Sequence, residues 1–332
     1  MVSLKKLIFG TLATAIGTGL IGYSLGRTDP VAQEILRLGR DEFSHINPLL
    51  DYQLADETLT NRGLRVMEES VESLIAQAIA TNEVIEASFY YRDLDNGPWL
   101  SVHDDVYFTP ASLLKVPIMI TYFKYAETNP DILTSEILYA ENDESVNSYV
   151  FSESNEEIQP GTTYTVLALI ERMIIYSDNA AAILLQRNID YPSQKKVYED
   201  FDIPLPNAGS PRKPFLTART YSGFFRILYN ATCLDRAYSE MALKILSRSA
   251  FTSGIRAGLP KQTVVSNKFG IFGNTDKPGE LLQLHDCGII YGAKDYIICV
   301  MTTGTNLEVQ AHLINEISKV VFIKNSEILN KI

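Results

Sequence analysis

The chain has 332 residues, 46% of them apolar and 21% charged, an ordinary globular composition with material for one large domain or two intertwined ones. Its formal net charge is −11, and a surface of that sign repels phosphate backbones, so no nucleic-acid partner is expected. The four histidines, His45, His103, His285 and His312, are scattered and no Cys/His cluster has ligand spacing, so neither a metal nor another cofactor is expected.

The N-terminus carries Lys5 and Lys6 ahead of an uncharged run from Leu7 to Gly26, which Arg27 ends. As a helix this run is about 30 Å long, the thickness of a bilayer core. Residues 1–27 read first as an uncleaved membrane anchor; a cleaved signal peptide and a buried helix are the alternatives. Basic residues ahead of the run place the remainder outside the cytoplasm, anchored to the cell membrane or secreted. Residues 28–63 read as a polar linker.

From Leu64 to Ala80 apolar residues recur at helical spacing. Val84 to Arg92 and Trp99 to Val102 read as strands joined by the turn Asp95-Asn96-Gly97-Pro98. Helical patterns then dominate, with candidates at 112–125, 165–175, 179–188, 193–200, 218–229 and 235–247. The β signal returns at Val264 to Phe272, Glu280 to Tyr291 and Tyr296 to Thr303, the last two joined by the turn Gly292-Ala293-Lys294-Asp295. Glu308 to Phe322 closes the chain as an amphipathic helix. Two distant segments must therefore complete one sheet, 64–109 and 250–332, with 110–249 as a helical lobe and a cleft between them. Cys287 and Cys299 flank the last turn and face each other in one reading, but buried free thiols are the preferred reading.

Three short motifs carry chemistry. Ser112-Leu113-Leu114-Lys115 follows Pro110, which suits a helix start. Spacing of i and i+3 puts Ser112 and Lys115 on one face, where a neutral amine can take the hydroxyl proton. Ser177-Asp178-Asn179 lies between two helices; alone it reads as a plain N-cap. Lys268-Phe269-Gly270 falls on an expected strand; alone it is a lysine on a sheet edge.

Together and in this order, S-x-x-K, S-D-N and K-x-G resemble the signature of class A β-lactamases and penicillin-binding proteins. The run Tyr176 to Leu185 is similar to that family's S-D-N helix, and Gly288 to Tyr291 with Tyr296 to Gly304 to its last two strands. The likeness covers about residues 65 to 325. It implies an α+β fold of β-lactamase/DD-peptidase type: an antiparallel sheet flanked by N- and C-terminal helices, a helical lobe, and the active site in the cleft. It implies Ser112 as acylated nucleophile, Lys115 in proton transfer and Ser177 as proton relay to the leaving nitrogen. Asn179 would hold a substrate amide, Lys268 would supply positive field, and the N–H groups of Ser112 and Ile271, after Gly270, would form the oxyanion hole. Two facing ammonium groups would repel and lower a pKa. Tyr149 or Phe151 would line the cleft or simply fill the core.

Two departures matter. Phe269 stands where the family has Thr or Ser, whose hydroxyl binds the substrate carboxylate. The segment Phe201 to Ser210 has no Glu to match the class A deacylating base; Asp202 is the nearest substitute. The expected function is thus acyl transfer on a small-molecule β-lactam or a D-amino-acid cell-wall peptide, with slow deacylation. A catalytically weak binding module, or an esterase using Phe269 as an apolar subsite, are the alternatives.

Overall fold

The computed structural model describes residues 45–46, 57–95, 97–140, 158–189, 191–200, 214–274, 277 and 279–329. These belong to one compact unit. The N-terminal segment 1–27, the aromatic candidates Tyr149 and Phe151, and the segment with Asp202 lie outside the described residues. Among the described residues no helix is long and apolar enough to cross a membrane.

The first helix, α1 (Glu57–Ala80), begins ahead of Leu64, inside the stretch expected to be linker. Strands β1 (Val84–Asp93) and β2 (Trp99–Val102) form the expected hairpin. The chain then makes a 3-10 turn (Ala111–Leu114) and enters α2 (Lys115–Ala126). A small hairpin that the sequence reading missed, β3 (Glu136–Leu138) with β4 (Thr163–Thr165), precedes α3 (Val166–Ile175). The lobe continues through α4 (Asn179–Asn188), α5 (Tyr191–Asp200), α6 (Ala218–Tyr229) and α7 (Arg236–Leu246). Four of its helices start where a side-chain oxygen accepts a free N–H group: Thr165, Asp178, Thr217 and Asp235 each cap one. Strands β5 (Val265–Phe272), β6 (Leu282–Ile290) and β7 (Tyr296–Gly304) and the long helix α8 (Leu307–Leu329) complete the fold.

The five-stranded sheet runs β2-β1-β7-β6-β5, all pairs antiparallel, so the N-terminal hairpin joins the C-terminal strands through β1 and β7. Each face of the sheet carries its own core. Ile297, Cys299 and Met301 pack with the helical lobe, whereas Tyr296, Ile298 and Val300 pack with α1 and α8. Every residue of β7 is buried, because both faces are covered and no polar alternation is tolerated.

The preferred reading of free thiols is corrected: Cys287 and Cys299 are disulfide-bonded. They are direct cross-strand partners on β6 and β7, and both are fully buried. The hairpin register sets the two side chains on the same face.

Candidate active site

The site forms where the first turn of the helical lobe meets the edge strand β5. Ala111 sits in left-handed backbone space, φ 49°, immediately before Ser112. A non-glycine residue there is strained, and the bend sets Ser112 at the mouth of the following turn. That turn is 3-10 rather than α, so residues three apart eclipse. Ser112 and Lys115, the first residue of α2, therefore lie along one side of this turn. Ser112 is half-buried and Lys115 buried. From α6 the Tyr221 hydroxyl donates to the Leu113 carbonyl (3.0 Å) and braces this turn. The sequence reading missed it, because a tyrosine in an amphipathic helix carries no separate signal.

Ser177 also occupies left-handed space, φ 55°, between α3 and α4. The motif Ser177-Asp178-Asn179 is both an N-cap and part of the site. The buried Asp178 carboxylate accepts from the Ala181 N–H (3.0 Å) and from Arg172 Nε (3.3 Å), which fixes the bend. The bend turns Ser177 and Asn179 toward Lys115. The Lys115 ammonium donates to the Ser177 carbonyl oxygen (2.5 Å), Ser177 Oγ (3.1 Å) and Asn179 Oδ1 (2.7 Å).

Lys268 reaches the same hydroxyl from β5, Nζ to Ser177 Oγ at 3.0 Å. Two donors thus fill the acceptor positions of Ser177 Oγ, leaving its own proton free to point elsewhere. Lys268 Nζ also donates to the Phe269 carbonyl (2.8 Å) and lies 4.1 Å from the Phe269 ring centroid. Gly270 lets β5 pass close to the nucleophile turn: an added Cβ would lie 3.0 Å from the Pro110 carbonyl oxygen and 3.2 Å from Leu113 Cγ. Ile271 follows on this edge strand, which has β6 on one side only.

Burial lowers Lys115 to about 7, with the Asp178 carboxylate opposing the shift. Burial also holds Lys268 well below the usual lysine range; the charge of Lys115 adds to the effect and Asp286 opposes it. The repulsion expected from sequence is real but second to desolvation. Behind Lys268 lies a polar group that the sequence reading missed. Asp286 accepts from Asn267 Nδ2 (2.9 Å) and the Ile255 N–H (2.9 Å). Burial raises Asp286 to about 6, against these hydrogen bonds and the nearby Lys268 and Arg256. Beside it His285, lowered by burial to about 4, is neutral; its Nε2 lies 3.0 Å from the Thr109 carbonyl oxygen. Two successive titratable residues, His285 and Asp286, inside the mostly apolar β6 were the available signal.

Phe269 is not an open apolar subsite. It is 2% exposed and is clamped between Phe251, ring centroids 4.4 Å apart, and the Lys268 ammonium. Among the described residues no group of His, Cys, Asp or Glu has metal-site geometry.

Lys115, Ser177, Asn179 and Lys268 thus meet in one hydrogen-bonded cluster, and Gly270 passes against the turn that carries Ser112. The chain is similar in fold to several solved structures. A mutant of PBP-A, an acyl-enzyme complex with penicillin G, shares 19% identity with a TM-score of 0.66, covering 80% of this chain and 97% of that one. A β-lactamase from Chitinophaga pinensis shares 17% with a TM-score of 0.67, covering 77% and 99%. The TLA-1 extended-spectrum β-lactamase shares 14% with a TM-score of 0.67, covering 77% and 98%. No curated protein matches the chain. Residues 69–324 match the sequence model described as the β-lactamase enzyme family, so the chain belongs to that family and is a serine hydrolase of the β-lactamase type.

Proposed function

We propose that Ser112 is acylated by β-lactams, or by cell-wall peptides ending in D-amino acids, and that the acyl-enzyme is long-lived. The observation that carries this reading is the convergence of Lys115 and Lys268 on the Ser177 hydroxyl. Neutral Lys115, available near pH 7, takes the Ser112 proton as Oγ attacks the carbonyl. Ser177 passes a proton to the leaving nitrogen, and a lysine on its other side replaces it. Asn179 orients Lys115 and a substrate amide; Lys268 supplies positive field. The N–H groups of Ser112 and Ile271 receive the developing oxyanion, a contribution of roughly 3–4 kcal/mol in comparable sites. PBP-A, in the fold relative above, holds penicillin G as an acyl-enzyme, which supports a β-lactam as ligand here. Slow release follows from the segment Phe201 to Ser210, which contains no Glu. The buried disulfide and the run Leu7 to Gly26 after two lysines support work outside the cytoplasm, with the N-terminus as membrane anchor or signal.

Intact-protein mass spectrometry of the full chain with a fluorescent penicillin, beside Ser112→Ala, tests the reading. A lasting adduct on the wild type and none on the variant is expected. Hydrolysed penicillin without an adduct would replace slow release by turnover and require a base such as Asp202. Neither adduct nor product would favour the weak binding module.

A further inference from the structure

A second cleft lies between α6 and the outer end of the sheet, apart from the residues around Ser112. Its volume is about 370 Å³, and its lining includes Arg92, Arg219, Arg226, Tyr90, Trp99 and Gly223. The strand register explains the grouping. Tyr90 and Arg92 alternate onto one face of β1, and Arg92 is the cross-strand partner of Trp99 on β2. From α6, Arg219, Gly223 and Arg226 recur at i, i+4 and i+7 and so share one helix face.

Three arginines line this one cleft in a chain whose net charge is −11. Arg219 lies 4.3 Å from the Trp99 ring centroid and meets Asp104 (3.4 Å). Among the described residues that is the single carboxylate pairing of the three; Arg92 and Arg226 have none. Like charges repel, and exposed side chains drift apart unless something holds them together. Three positive charges against one negative leave the cleft short of a dianion. Guanidinium forks match the oxygens of phosphate with paired, charge-assisted hydrogen bonds. A monocarboxylate would leave one guanidinium uncompensated. The cavity is within the size range of small-molecule sites, and the exposed part of Trp99 gives an organic body some apolar surface beside the charge.

We propose that this cleft binds a phosphate group carried on a small organic body, such as a sugar phosphate or a phospholipid headgroup. The proposal is independent of the role of Ser112. Gly223 keeps the floor open, for an added Cβ there meets nothing within 4 Å. A side chain at this position would fill the cleft without displacing the backbone.

Trp99 is the chain's one tryptophan, so its emission reports on this cleft alone. The full-length protein is titrated with inorganic phosphate, glucose 1-phosphate, glucose, and vesicles of phosphatidylcholine with or without phosphatidylglycerol. A saturable change with glucose 1-phosphate and none with glucose is expected. Affinity should fall at least about tenfold in Arg92→Gln and in Arg226→Gln, as charge-assisted contacts are lost. Gly223→Leu should abolish binding while raising helix propensity, so misfolding does not explain its loss. All three variants should keep wild-type penicillin acylation, which serves as the folding control. A response to phosphatidylglycerol vesicles alone would assign the phosphate to a lipid headgroup; a response to the free esters would assign it to a soluble ligand. No saturable response to any phosphate probe, or an equal response in the Arg92→Gln, Arg226→Gln double variant, would overturn the proposal.

Discussion

Lys115 and Lys268 meet at one hydroxyl, yet the two regions that hold them are built on opposite plans. Lys115 sits in a cage of three oxygens supplied by the bend before α4, each within hydrogen-bond distance of Nζ. Lys268 has two oxygen acceptors, one from its own neighbour, and rests against an aromatic face. Burial weakens the charged form of both. Two ammonium groups this close cannot both be retained without cost, so near neutral pH the pair sheds a proton. The oxygen cage fixes the direction of the Lys115 amine, the proposed proton acceptor from Ser112. The aromatic seat fixes the position of the Lys268 amine, the proposed source of positive field. On the proposed function, proton traffic falls to the helical-lobe side and charge placement to the strand side.

The largest expected effect separates the two plans directly. Lys115→Met removes the base and should slow penicillin acylation by about 10²–10⁴-fold. Lys268→Met, which leaves the base in place, should cost about tenfold to a hundredfold. Stopped-flow measurement of adduct formation compares them; equal losses would break the division of labour. Next in size is the aromatic seat itself. Phe269→Ala empties a buried site between Phe251 and the Lys268 ammonium and should destabilise the fold by about 3–5 kcal/mol. Denaturant titration reads this, and an effect under about 1 kcal/mol would mean that the ring is not a packing element.

Much of this arrangement was legible from residue type and spacing. Asn179 to Asn188 and Ala218 to Tyr229 read as helices because their apolar periodicity and capping residues agree, and both are helices with those bounds. Ser112, Lys115, Ser177, Asn179 and Lys268 were found because three weak motifs in one order are far more specific than any alone. What escaped depends on geometry that side-chain chemistry does not encode. The left-handed conformations of Ala111 and Ser177 have no glycine to announce them. Strands β3 and β4 are three residues each, too short for alternation to register. The disulfide was readable in principle: a turn at Gly292 to Asp295 pairs Ile290 with Tyr296 and hence Cys287 with Cys299. The general tendency of buried cysteines to remain free was given more weight than that register. Phe269 was readable as the loss of a hydroxyl at that position, but not as a packing partner of Phe251 and the neighbouring lysine.

A smaller effect tests how tightly the strand side is set against the nucleophile turn. In Gly270→Ala the new Cβ approaches the Pro110 carbonyl oxygen at 3.0 Å and Leu113 N at 3.4 Å, so β5 must shift by a few tenths of an ångström. We expect a stability loss of about 1–2 kcal/mol. Acylation should fall several-fold, as the Ile271 N–H moves relative to Ser112. Loss of stability with an unchanged acylation rate would show that the two walls need not be in register.

The smallest effect concerns the cage alone. If neutral Lys115 is the base, wild-type acylation should rise about tenfold per pH unit below about 7 and level off above it. The sign follows from the active form being the deprotonated one. Asp178 favours the ammonium and so holds the midpoint up against burial. Asp178→Asn retains an oxygen to accept from the Ala181 N–H and removes the charge. Its acylation midpoint should therefore move down, by less than about one pH unit, or roughly 1 kcal/mol. At pH 6 the variant would then hold more neutral Lys115 than the wild type, so the ratio of variant to wild-type rate should be greater at pH 6 than at pH 8. A midpoint that stays fixed would assign the pH dependence to another group, with Lys268 the next to test. An upward shift would mean that the carboxylate acts chiefly by orienting Arg172 and the bend, and that the cage is positional rather than electrostatic.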